Sequence, residues 1–403
     1  MAKISIIIPV YNSAPYLSQC FQCLRKQTLQ DIEVLLVDDG STDNSAEICN
    51  EIVAADDRFH FFQQRNGGPT AARKLGLRYA SSSFVTFLDS DDWAEPLWCQ
   101  KLYEEAAKTG AELVICQHFR DQDGVSAPQK SLLSAGSYER ADIEHKIFPV
   151  LFHDDFKDGW TIYPYLWDKL FVREKLLPLL EQADERLRLG EDACATFPYL
   201  VNCERIVILA DCLYHYVQHP KSGVRTQLDW NRDLPRYRWM YHFVRKSWQG
   251  TTFNRVLQVQ WRRYLLTTIL IPRVPFLWKQ EDGRERWFPF LQVAHDSHVV
   301  IYGAGVFGTS CRKFLQQSRY AEPVLWLDAR AEALQEEGLP VYGMDALSRV
   351  SYDVVLVAIL RSSTAQAVCH NLQDAGVPEK KICTVNPSVV TSERVWKAYG
   401  MDE

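Results

Sequence analysis

The sequence predicts an α/β protein with two mostly parallel sheets joined by a helical segment. Three observations support this fold class. Short apolar runs alternate with amphipathic helical stretches over the first 116 residues. A basic, tryptophan-rich stretch follows later in the chain, and after it a further apolar run leads into a glycine-rich turn. Strands separated by helices in this way are typical of βαβ units, in which helices cover both faces of a parallel sheet.

The composition is that of a globular protein with more than one domain. The chain has 403 residues, of which 47% are apolar, and at about 100–200 residues per domain this predicts two or three domains. The net charge of −6 argues against a nucleic-acid partner. The eleven scattered cysteines, including the CxxC of Cys20 and Cys23, are expected to be reduced thiols of a cytoplasmic protein. No run approaches the ~18 apolar residues of a membrane span, so we expect none.

Residues 1–228 are predicted to form the first domain. Its strands are short apolar runs, namely Ile4–Val10, Glu33–Val37, Phe59–Phe62, Phe84–Leu88 and Leu113–Cys116. Its helices carry apolar residues at helical spacing and are Tyr16–Leu24, Ser45–Val53, Thr70–Tyr79 and Pro96–Lys108. Ligands of such sheets bind beyond the carboxyl ends of the strands, so the residues that follow each strand are the candidates for chemistry.

Two clusters of carboxylates directly follow predicted strands, and they consist of Asp38 and Asp39 after the second strand and Asp89, Asp91 and Asp92 after the fourth. Like charges at neighbouring strand ends are unfavourable unless a cation joins them. Oxygen ligands on both sides of a spacer suit a hard divalent ion that also binds substrate phosphates. Turn and helix capping explains either cluster alone, whereas two neighbouring clusters favour a functional site.

Six motifs occur in order along the first domain: IIIPVYN (Ile6–Asn12), VDDGSTD (Val37–Asp43), NGGPTAARKLGL (Asn66–Leu77), FLDSDD (Phe87–Asp92), WDKLF (Trp167–Phe171) and GEDACATF (Gly190–Phe197). Together they resemble the family 2 inverting glycosyltransferases with the GT-A fold. The resemblance implies a GT-A nucleotide-diphospho-sugar transferase fold, a UDP-sugar donor, and a glycan or lipid-linked glycan as acceptor.

The resemblance also implies which residues bind the nucleotide. Pro9, Val10 and Tyr11 would line the base pocket, with the Tyr11 ring stacked on the base. Asp39 would accept a hydrogen bond from the base, which favours uracil, and Asp38 would support that turn.

Further roles implied by the resemblance concern the diphosphate and the metal. Arg73 would lie near the diphosphate. Asp91 would be the direct ligand of Mn²⁺ or Mg²⁺, and Asp89 would contact the ribose or metal-bound waters, as a second residue of the metal site.

The pair Glu191 and Asp192 is the candidate catalytic group, and the resemblance implies Asp192 as the general base. A sugar hydroxyl is a poor nucleophile, and a positioned carboxylate that takes its proton contributes ~10²–10⁴-fold to the rate. The structural alternative is an acidic pair at a helix N-terminus after Gly190, which the helix dipole favours.

The sequence departs from the family in several places. Asp168 stands where the family often has Asn, which leaves acceptor contacts there open. No Gln-x-x-Arg-Trp motif is present, which argues against a processive synthase. His215 and His219 lie in a stretch that resembles the aromatic closing segment of the family, although His215 could equally be an ordinary buried histidine.

Residues 229–296 are predicted to form a basic, tryptophan-rich helical linker. Between positions 229 and 290 there are twelve Lys and Arg residues against five Asp and Glu, and six of the twelve tryptophans, namely Trp230, Trp239, Trp248, Trp261, Trp278 and Trp287. Peripheral docking to an anionic membrane, at the inner face of the plasma membrane, is one interpretation. Packing of the tryptophans between two domains is the other.

Residues 297–403 are predicted to form a short Rossmann-like domain. Gly303, Gly305 and Gly308 follow the predicted strand His298–Tyr302 and open a helix, and Asp328 ends the next strand, where a ribose-binding acid belongs. A second nucleotide site is one interpretation, and a glycine turn kept for packing is the other.

The sequence therefore predicts a metal-dependent inverting glycosyltransferase acting on a growing surface glycan. An NAD-dependent sugar-nucleotide dehydrogenase or epimerase, carried by the last domain, is a rival that would change the absorbance of NAD and need no divalent metal. A non-catalytic subunit of a glycan-assembly complex is another, and it would bind UDP without transferring a sugar. The oligomeric state is left open.

Overall fold

The computed structural model describes residues 2–152, 160–219, 230–273, 289–290, 293–385 and 392–401. The chain divides into two compact units. The first contains Met1–Thr226 and Asp233–Gln258, and the second contains Gln227–Arg232 and Val259–Glu403. The basic, tryptophan-rich segment is thus shared between the two units, and the domain boundaries proposed at 228 and 296 stay predictions.

The described strands of the first unit form one mixed sheet. These strands are β1 (Ile4–Val10), β2 (Ile32–Asp38), β3 (Phe59–Gln63), β4 (Phe84–Phe87), β5 (Trp93–Ala94), β6 (Leu113–Gln122), β7 (Val125–Gln129), β8 (Gly136–Glu139), β9 (Lys169–Val172) and β10 (Arg205–Val217). The strand order is β3-β2-β1-β4-β9-β6-β10-β5, with β7 paired to β6 and β8 paired to β10.

The strands β1 to β4 form the parallel part of this sheet, as the alternation of apolar runs predicts. In the register, Val10 at the end of β1 lies opposite Asp38 at the end of β2, and Ile7 lies opposite Phe87 at the end of β4. The interior of β1 is almost entirely buried because helices cover both faces of the sheet. This arrangement brings the residues after β1, β2 and β4 to one edge.

Beyond β4 the sheet departs from the parallel pattern. The strand β9 lies between β4 and β6 and is antiparallel to both, while β6 and β10 are parallel to each other. The prediction of a mostly parallel sheet therefore holds for β1 to β4 and does not describe the remainder. The sequence pattern does not reveal β9, because this strand is only four residues long and its pairing partners lie far away in the chain.

The helices of the first part of the chain are α1 (Ala14–Arg25), α2 (Ser45–Ala55), α3 (Pro69–Tyr79), α4 (Trp98–Thr109), α5 (Arg140–Asp142), α6 (Arg173–Gln182) and α7 (Ala193–Val201). The helix α3 begins with Pro69, which suits the first turn. Its Gly76 lies so close to β1 that a Cβ there would collide with the Ile7 side chain. The predicted helices within residues 1–109 are confirmed to within a few residues at each end.

The described residues of the basic, tryptophan-rich segment form the α-helices α8 (Trp230–Arg245), α9 (Asn254–Tyr264) and α10 (Ile271–Arg273), with a π-helical stretch over Leu265–Leu270. Trp248 and Trp261 are fully buried, and Trp239 is stacked on Phe243. Trp248 and Trp261 therefore serve packing and are not available for membrane docking. Trp278 and Trp287 lie outside the described residues.

The second unit contains a four-stranded parallel sheet with the order β12-β11-β13-β14. Its strands are β11 (His298–Tyr302), β12 (Glu322–Leu327), β13 (Val354–Val357) and β14 (Ile382–Thr384), and its helices are α11 (Val306–Ser318), α12 (Ala331–Glu336), α13 (Ser362–Asp374) and a last one over Glu393–Ala398. The core of this sheet contains Val300, Leu327 and Val355.

Two further expectations concern cysteines and membrane spans. All eleven cysteines are free, and nine of them are buried. Within the described parts of the chain, no helix combines the length and the apolar character that crossing a membrane requires.

Candidate active site

The loops that follow β1 and β2 are fastened to each other at the sheet edge. The Asp39 backbone N–H donates to the Val10 carbonyl at 2.8 Å, and the Asn12 Oδ1 accepts from the Thr42 backbone N–H at 2.7 Å. Asn12 has a φ of 50°, a left-handed conformation that asparagine tolerates better than most residues. The two loops therefore form one rigid rim.

The three residues predicted to line a base pocket lie on this rim. Val10 is buried and Pro9 is partly buried, while 50% of Tyr11 is exposed. An exposed aromatic ring on a fixed loop has the form that stacking on a nucleobase requires. The base contact itself stays a prediction.

The carboxylates of Asp38 and Asp39 accept hydrogen bonds from backbone N–H groups of the neighbouring loops. Asp38 is fully buried, and its Oδ1 accepts from the Ser41 backbone N–H at 3.2 Å. Asp39 accepts from the N–H groups of Gly67 at 2.8 Å and Gly68 at 2.7 Å. Asp39 thereby fixes the glycine loop that precedes α3, in addition to any contact with a base.

The carboxylates after β4 fall into different environments. Asp92 is buried, and it accepts hydrogen bonds from the Tyr214 hydroxyl and from the Val217 N–H, both at 2.7 Å. Burial raises the pKa of Asp92 well above its usual value, and the charges of Asp91 and Asp89 add to the rise. Asp92 therefore connects the turn to β10, whereas 43% of the Asp91 side chain remains exposed at the rim.

Asp91 and His219 are the side chains that could hold a metal ion. Partial burial and the charge of Asp89 raise the pKa of Asp91 to about 6. The His219 Nε2 lies 3.8 Å from the Asp91 Oδ2, is buried, and has no hydrogen-bond partner among the described residues. A carboxylate oxygen and an unsatisfied imidazole nitrogen that face each other fit a divalent ion.

Arg73, on α3, joins the two acidic motifs. Its side chain is only 6% exposed. One terminal nitrogen donates to the Asp89 Oδ1 at 3.0 Å, and the other donates to the Asp192 Oδ1 at 2.9 Å and the Glu191 Oε1 at 3.4 Å. Burial alone would lower the pKa of Arg73, but the three carboxylates outweigh it and raise the pKa. Both terminal nitrogens are thus bound to carboxylates, and the contact with a diphosphate predicted for Arg73 stays a prediction.

Asp192 lies at the N-terminus of α7. Burial raises its pKa to about 7, the Arg73 charge opposes the rise, and the charges of Glu191 and Asp89 add to it. The Leu166 backbone N–H also donates to this carboxylate. A carboxylate with a pKa near 7, held by two donors, meets the requirements for a general base at neutral pH.

The sequence did not predict that Arg73 binds the carboxylates of both acidic motifs. The available signal was the charge balance, because two acidic motifs that meet in space require a buried cation. The sequence also did not reveal Arg188, whose guanidinium lies so close to Gly68 that a Cβ there would collide with it. Arg188 is exposed, and it is a further cation beside the loop that Asp39 fixes.

His215 has a structural role. It is 4% exposed, its ring lies 3.4 Å from the Trp93 ring between centroids, and its two nitrogens contact Asp121 at 2.9 Å and Glu95 at 3.1 Å. These contacts correspond to the buried-histidine alternative.

The predicted second nucleotide site lies in the other unit, where its glycines and Asp328 contact residues of the same turn. Gly303 has a φ of +111°, and a Cβ on Gly308 would overlap the Gly303 carbonyl, so packing alone requires both glycines. A Cβ on Gly305 would meet open space. The Asp328 Oδ2 accepts from the Ala304 N–H at 2.7 Å. Asp328 thus braces the glycine turn, and nucleotide binding there stays a prediction.

Comparisons with known proteins agree with the architecture of the first unit. Residues 5–162 match the model of glycosyl transferase family 2. The glycosyltransferase GlyG of Streptococcus pneumoniae is 31% identical over 238 residues, which is 57% of this chain and 76% of GlyG. The chain belongs to glycosyl transferase family 2. GlyA from the same organism is 32% identical over 215 residues, 53% of this chain, but the match spans only 30% of GlyA.

The fold of this family 2 protein also has a solved counterpart. The similarity to the structure of S. aureus TarS residues 1–349 in complex with UDP-GlcNAc covers 66% of this chain and 73% of the TarS chain. The TM-score is 0.53 and the sequence identity is 20%. At that identity the likeness concerns the fold, and it agrees with the GT-A prediction.

Proposed function

We propose that this protein is an inverting glycosyltransferase that moves a sugar from a UDP-sugar to a hydroxyl group of a growing surface glycan of the capsule, lipopolysaccharide or teichoic-acid type. The observation that carries the proposal is the cluster in which Arg73 joins Asp89, beside the nucleotide loops, to Asp192. Membership of family 2 supports sugar transfer, and the UDP-GlcNAc bound by TarS supports a UDP donor. Free or lipid-linked glycans remain equally suited as acceptors.

In the proposed reaction, Asp192 takes the proton from the acceptor hydroxyl. The acceptor oxygen forms its bond to the anomeric carbon while the bond from that carbon to the diphosphate oxygen breaks, so UDP leaves and the configuration inverts. Arg73 and the Leu166 N–H fix the orientation of the Asp192 carboxylate. The pKa near 7 keeps this base ionised enough to act and basic enough to accept a proton.

The proposal includes a divalent ion, Mn²⁺ or Mg²⁺, held by Asp91 and His219. The described residues contain no group of three or more potential ligands around one point, so diphosphate oxygens and water would complete the coordination, as is usual for Mg²⁺ at nucleotide sites. When bound, the ion neutralises charge that develops on the departing diphosphate. Asp89 is bound to Arg73, which leaves Asp91 as the better placed carboxylate.

A panel of UDP- and GDP-sugars, incubated with a mixture of glycan acceptors with and without EDTA, tests this function through nucleotide release. We expect UDP release from at least one UDP-sugar, its loss with EDTA, and its recovery with Mn²⁺ or Mg²⁺. Release from GDP-sugars alone would refute the donor, and release that EDTA leaves unchanged would refute the metal. Absence of UDP binding by calorimetry would refute the proposed function as a whole.

A further inference from the structure

A pocket of about 310 Å³, which we call the edge pocket, lies between α1 and the segment that contains β5. Its volume is at the lower end of the range of small-molecule sites, which suits a single-ring ligand better than a nucleotide. The lining consists of Gln19, Gln22 and Cys23 of α1, Lys26 directly after α1, and Trp93, Ala94 and Pro96. These residues are different from those at the candidate donor, metal and base positions.

Hydrogen bonds fasten α1 to the outer edge of β5. The Ala94 backbone N–H donates to the Cys23 Sγ at 3.4 Å, and the Gln27 Nε2 donates to the Glu95 carbonyl at 2.9 Å. Burial raises the pKa of the Cys23 thiol to about 11, so this group stays neutral at neutral pH. The two walls of the edge pocket are therefore fixed relative to each other.

The indole of Trp93 lines the edge pocket and ends a row of stacked rings across the sheet. Its centroid lies 3.4 Å from that of His215, and the His215 ring is stacked on Phe119 at 4.6 Å. The register places these three residues opposite one another on β5, β10 and β6. Because β5 is the last strand in the order of this sheet, none of the described strands places a ring on the other face of the indole.

The helical wall of the edge pocket carries polar groups at one-turn spacing. Gln19, Gln22 and Lys26 are exposed, and the backbone of Lys26 is still helical, so the three side chains project from the same side. Each glutamine amide supplies donors and an acceptor, which neighbouring hydroxyl groups of a sugar can bind. Among the described residues of the lining, Lys26 is the only one with a charged side chain, and its ammonium group attracts an anion.

We propose that the edge pocket binds a pyranose unit that carries a carboxylate or phosphate group. The C–H face of the sugar ring packs on the indole of Trp93, its hydroxyls bond to Gln19 and Gln22, and its acid group pairs with Lys26. An aromatic acid would satisfy the indole and the ammonium group but would offer no hydroxyls to the two amides. The amides therefore favour a sugar.

The edge pocket adjoins the candidate metal loop, because Trp93 directly follows Asp91 and Asp92 in the chain. The role of its ligand rests on the proposed function: the bound pyranose is an acidic unit of the growing glycan, held at a second point outside the site of transfer. Two points of attachment raise the effective concentration of the acceptor end at the active site. The inference therefore names an acidic glycan as the substrate class.

Fluorine NMR of the protein labelled with 5-fluorotryptophan, in EDTA and without nucleotide, tests the edge pocket. The chain has twelve tryptophans, and Trp93→Phe identifies the Trp93 resonance by its loss. We expect methyl glucuronide or glucose 6-phosphate to shift this resonance saturably, and methyl glucoside to bind several-fold more weakly. Absence of a saturable shift with both acidic sugars would overturn the inference, and so would benzoate that binds as tightly as they do.

Lys26→Gln tests the contact with the acid group. It should weaken binding of the acidic sugar about fivefold, since one charge-assisted contact at a partly exposed position is lost. Arg25→Gln is the matched control, because Arg25 is the exposed neighbour of Lys26 and lies outside the lining, and it should leave the affinity unchanged. Unaltered resonances of the other tryptophans would show that each variant is folded, and an undiminished affinity of Lys26→Gln would contradict the proposed pairing.

Calorimetric titration with UDP separates this inference from the proposed function. UDP binding without a shift of the Trp93 resonance by either acidic sugar would overturn the edge pocket and leave the donor site standing. A saturable shift in a protein that does not bind UDP would support the edge pocket and refute the proposed function.

Discussion

Three carboxylates share one guanidinium in the candidate active site, and this ratio sets its electrostatics. Arg73 contacts Asp89, Glu191 and Asp192 from a buried position. One positive charge cannot neutralise three negative ones, so burial and the remaining charges raise the pKa of Asp192 to about 7 in spite of Arg73. Partial burial and the Asp89 charge raise the pKa of Asp91 to about 6, which supports the divalent ion proposed there.

The pH dependence of transfer follows from the raised pKa of Asp192. Only the ionised carboxylate accepts a proton, and it becomes protonated as the pH falls through about 7. We expect kcat to fall tenfold per pH unit below that value, in a profile measured at saturating donor with Mn²⁺ present. An acidic limb near pH 4 would contradict Asp192 as the base.

Substitution of Arg73 separates its charge from its geometry. In Arg73→Met, the positive charge that lowers the pKa of Asp192 is lost, so the acidic limb should move above pH 7 and kcat should drop by about 10²-fold. Arg73→Lys keeps a charge but cannot bridge Asp89 and Asp192 with two nitrogens. Its acidic limb should therefore lie close to that of the unmodified protein, whereas its kcat should stay lower.

Arg78→Lys is the matched control, because Arg78 lies on the same helix and forms an exposed pair with Glu181. It should change neither quantity. Arg73→Met with an unchanged pH profile and a normal kcat would refute the role of Arg73.

Among the elements, the strand β6 makes a stability prediction through His118, whose ring packs edge-on against Tyr163, Tyr165 and Trp167. Burial, together with the smaller effect of the Lys169 charge, lowers the pKa of His118 to about 4. The unfolded chain binds this proton more tightly than the folded one, so the free energy of unfolding should rise as the pH increases from 4 to 6.5. His118→Phe keeps the ring packing and should remove a contribution on the order of 2 kcal/mol.

Melting temperatures at pH 4.5 and pH 7 measure this contribution, as the difference between His118→Phe and the unmodified protein. His60→Phe, at an exposed position of β3, is the control and should behave as the unmodified protein does. An equal loss of stability at low pH in both variants and the unmodified protein would show that His118 is not responsible.

The sequence predicts the strands and helices well but predicts poorly which of them contact each other. Apolar runs and helical spacing located β1 to β4 and their helices, because burial of these residues is determined by the local pattern. The strand β9 and the stacking of Trp167 on Tyr214 escaped prediction, since β6 and Tyr214 are distant from them in the chain. Similarly, the motifs identified Arg73 without revealing that it binds carboxylates.

On the scale of the whole molecule, the two units differ in how their acidic residues are used. In the first, the described carboxylates after β4 include one that stays exposed at the rim, Asp91. In the second, Asp328, which directly follows β12, accepts hydrogen bonds from the backbone N–H groups of Ala304 in the glycine turn and of Arg330. The glycine pattern from 303 to 308 was recognisable in sequence, whereas the hydrogen bond of Asp328 to the Ala304 N–H in that turn is visible only in the structure.

The central claim is that Asp192 removes the acceptor proton beside a separate donor site. Sugar transfer by Asp192→Asn, measured together with UDP affinity, tests it most directly. We expect transfer to fall by at least ~10²-fold, because the amide cannot accept the proton, while UDP binds with nearly the same affinity. Transfer at an undiminished rate by Asp192→Asn would contradict the account.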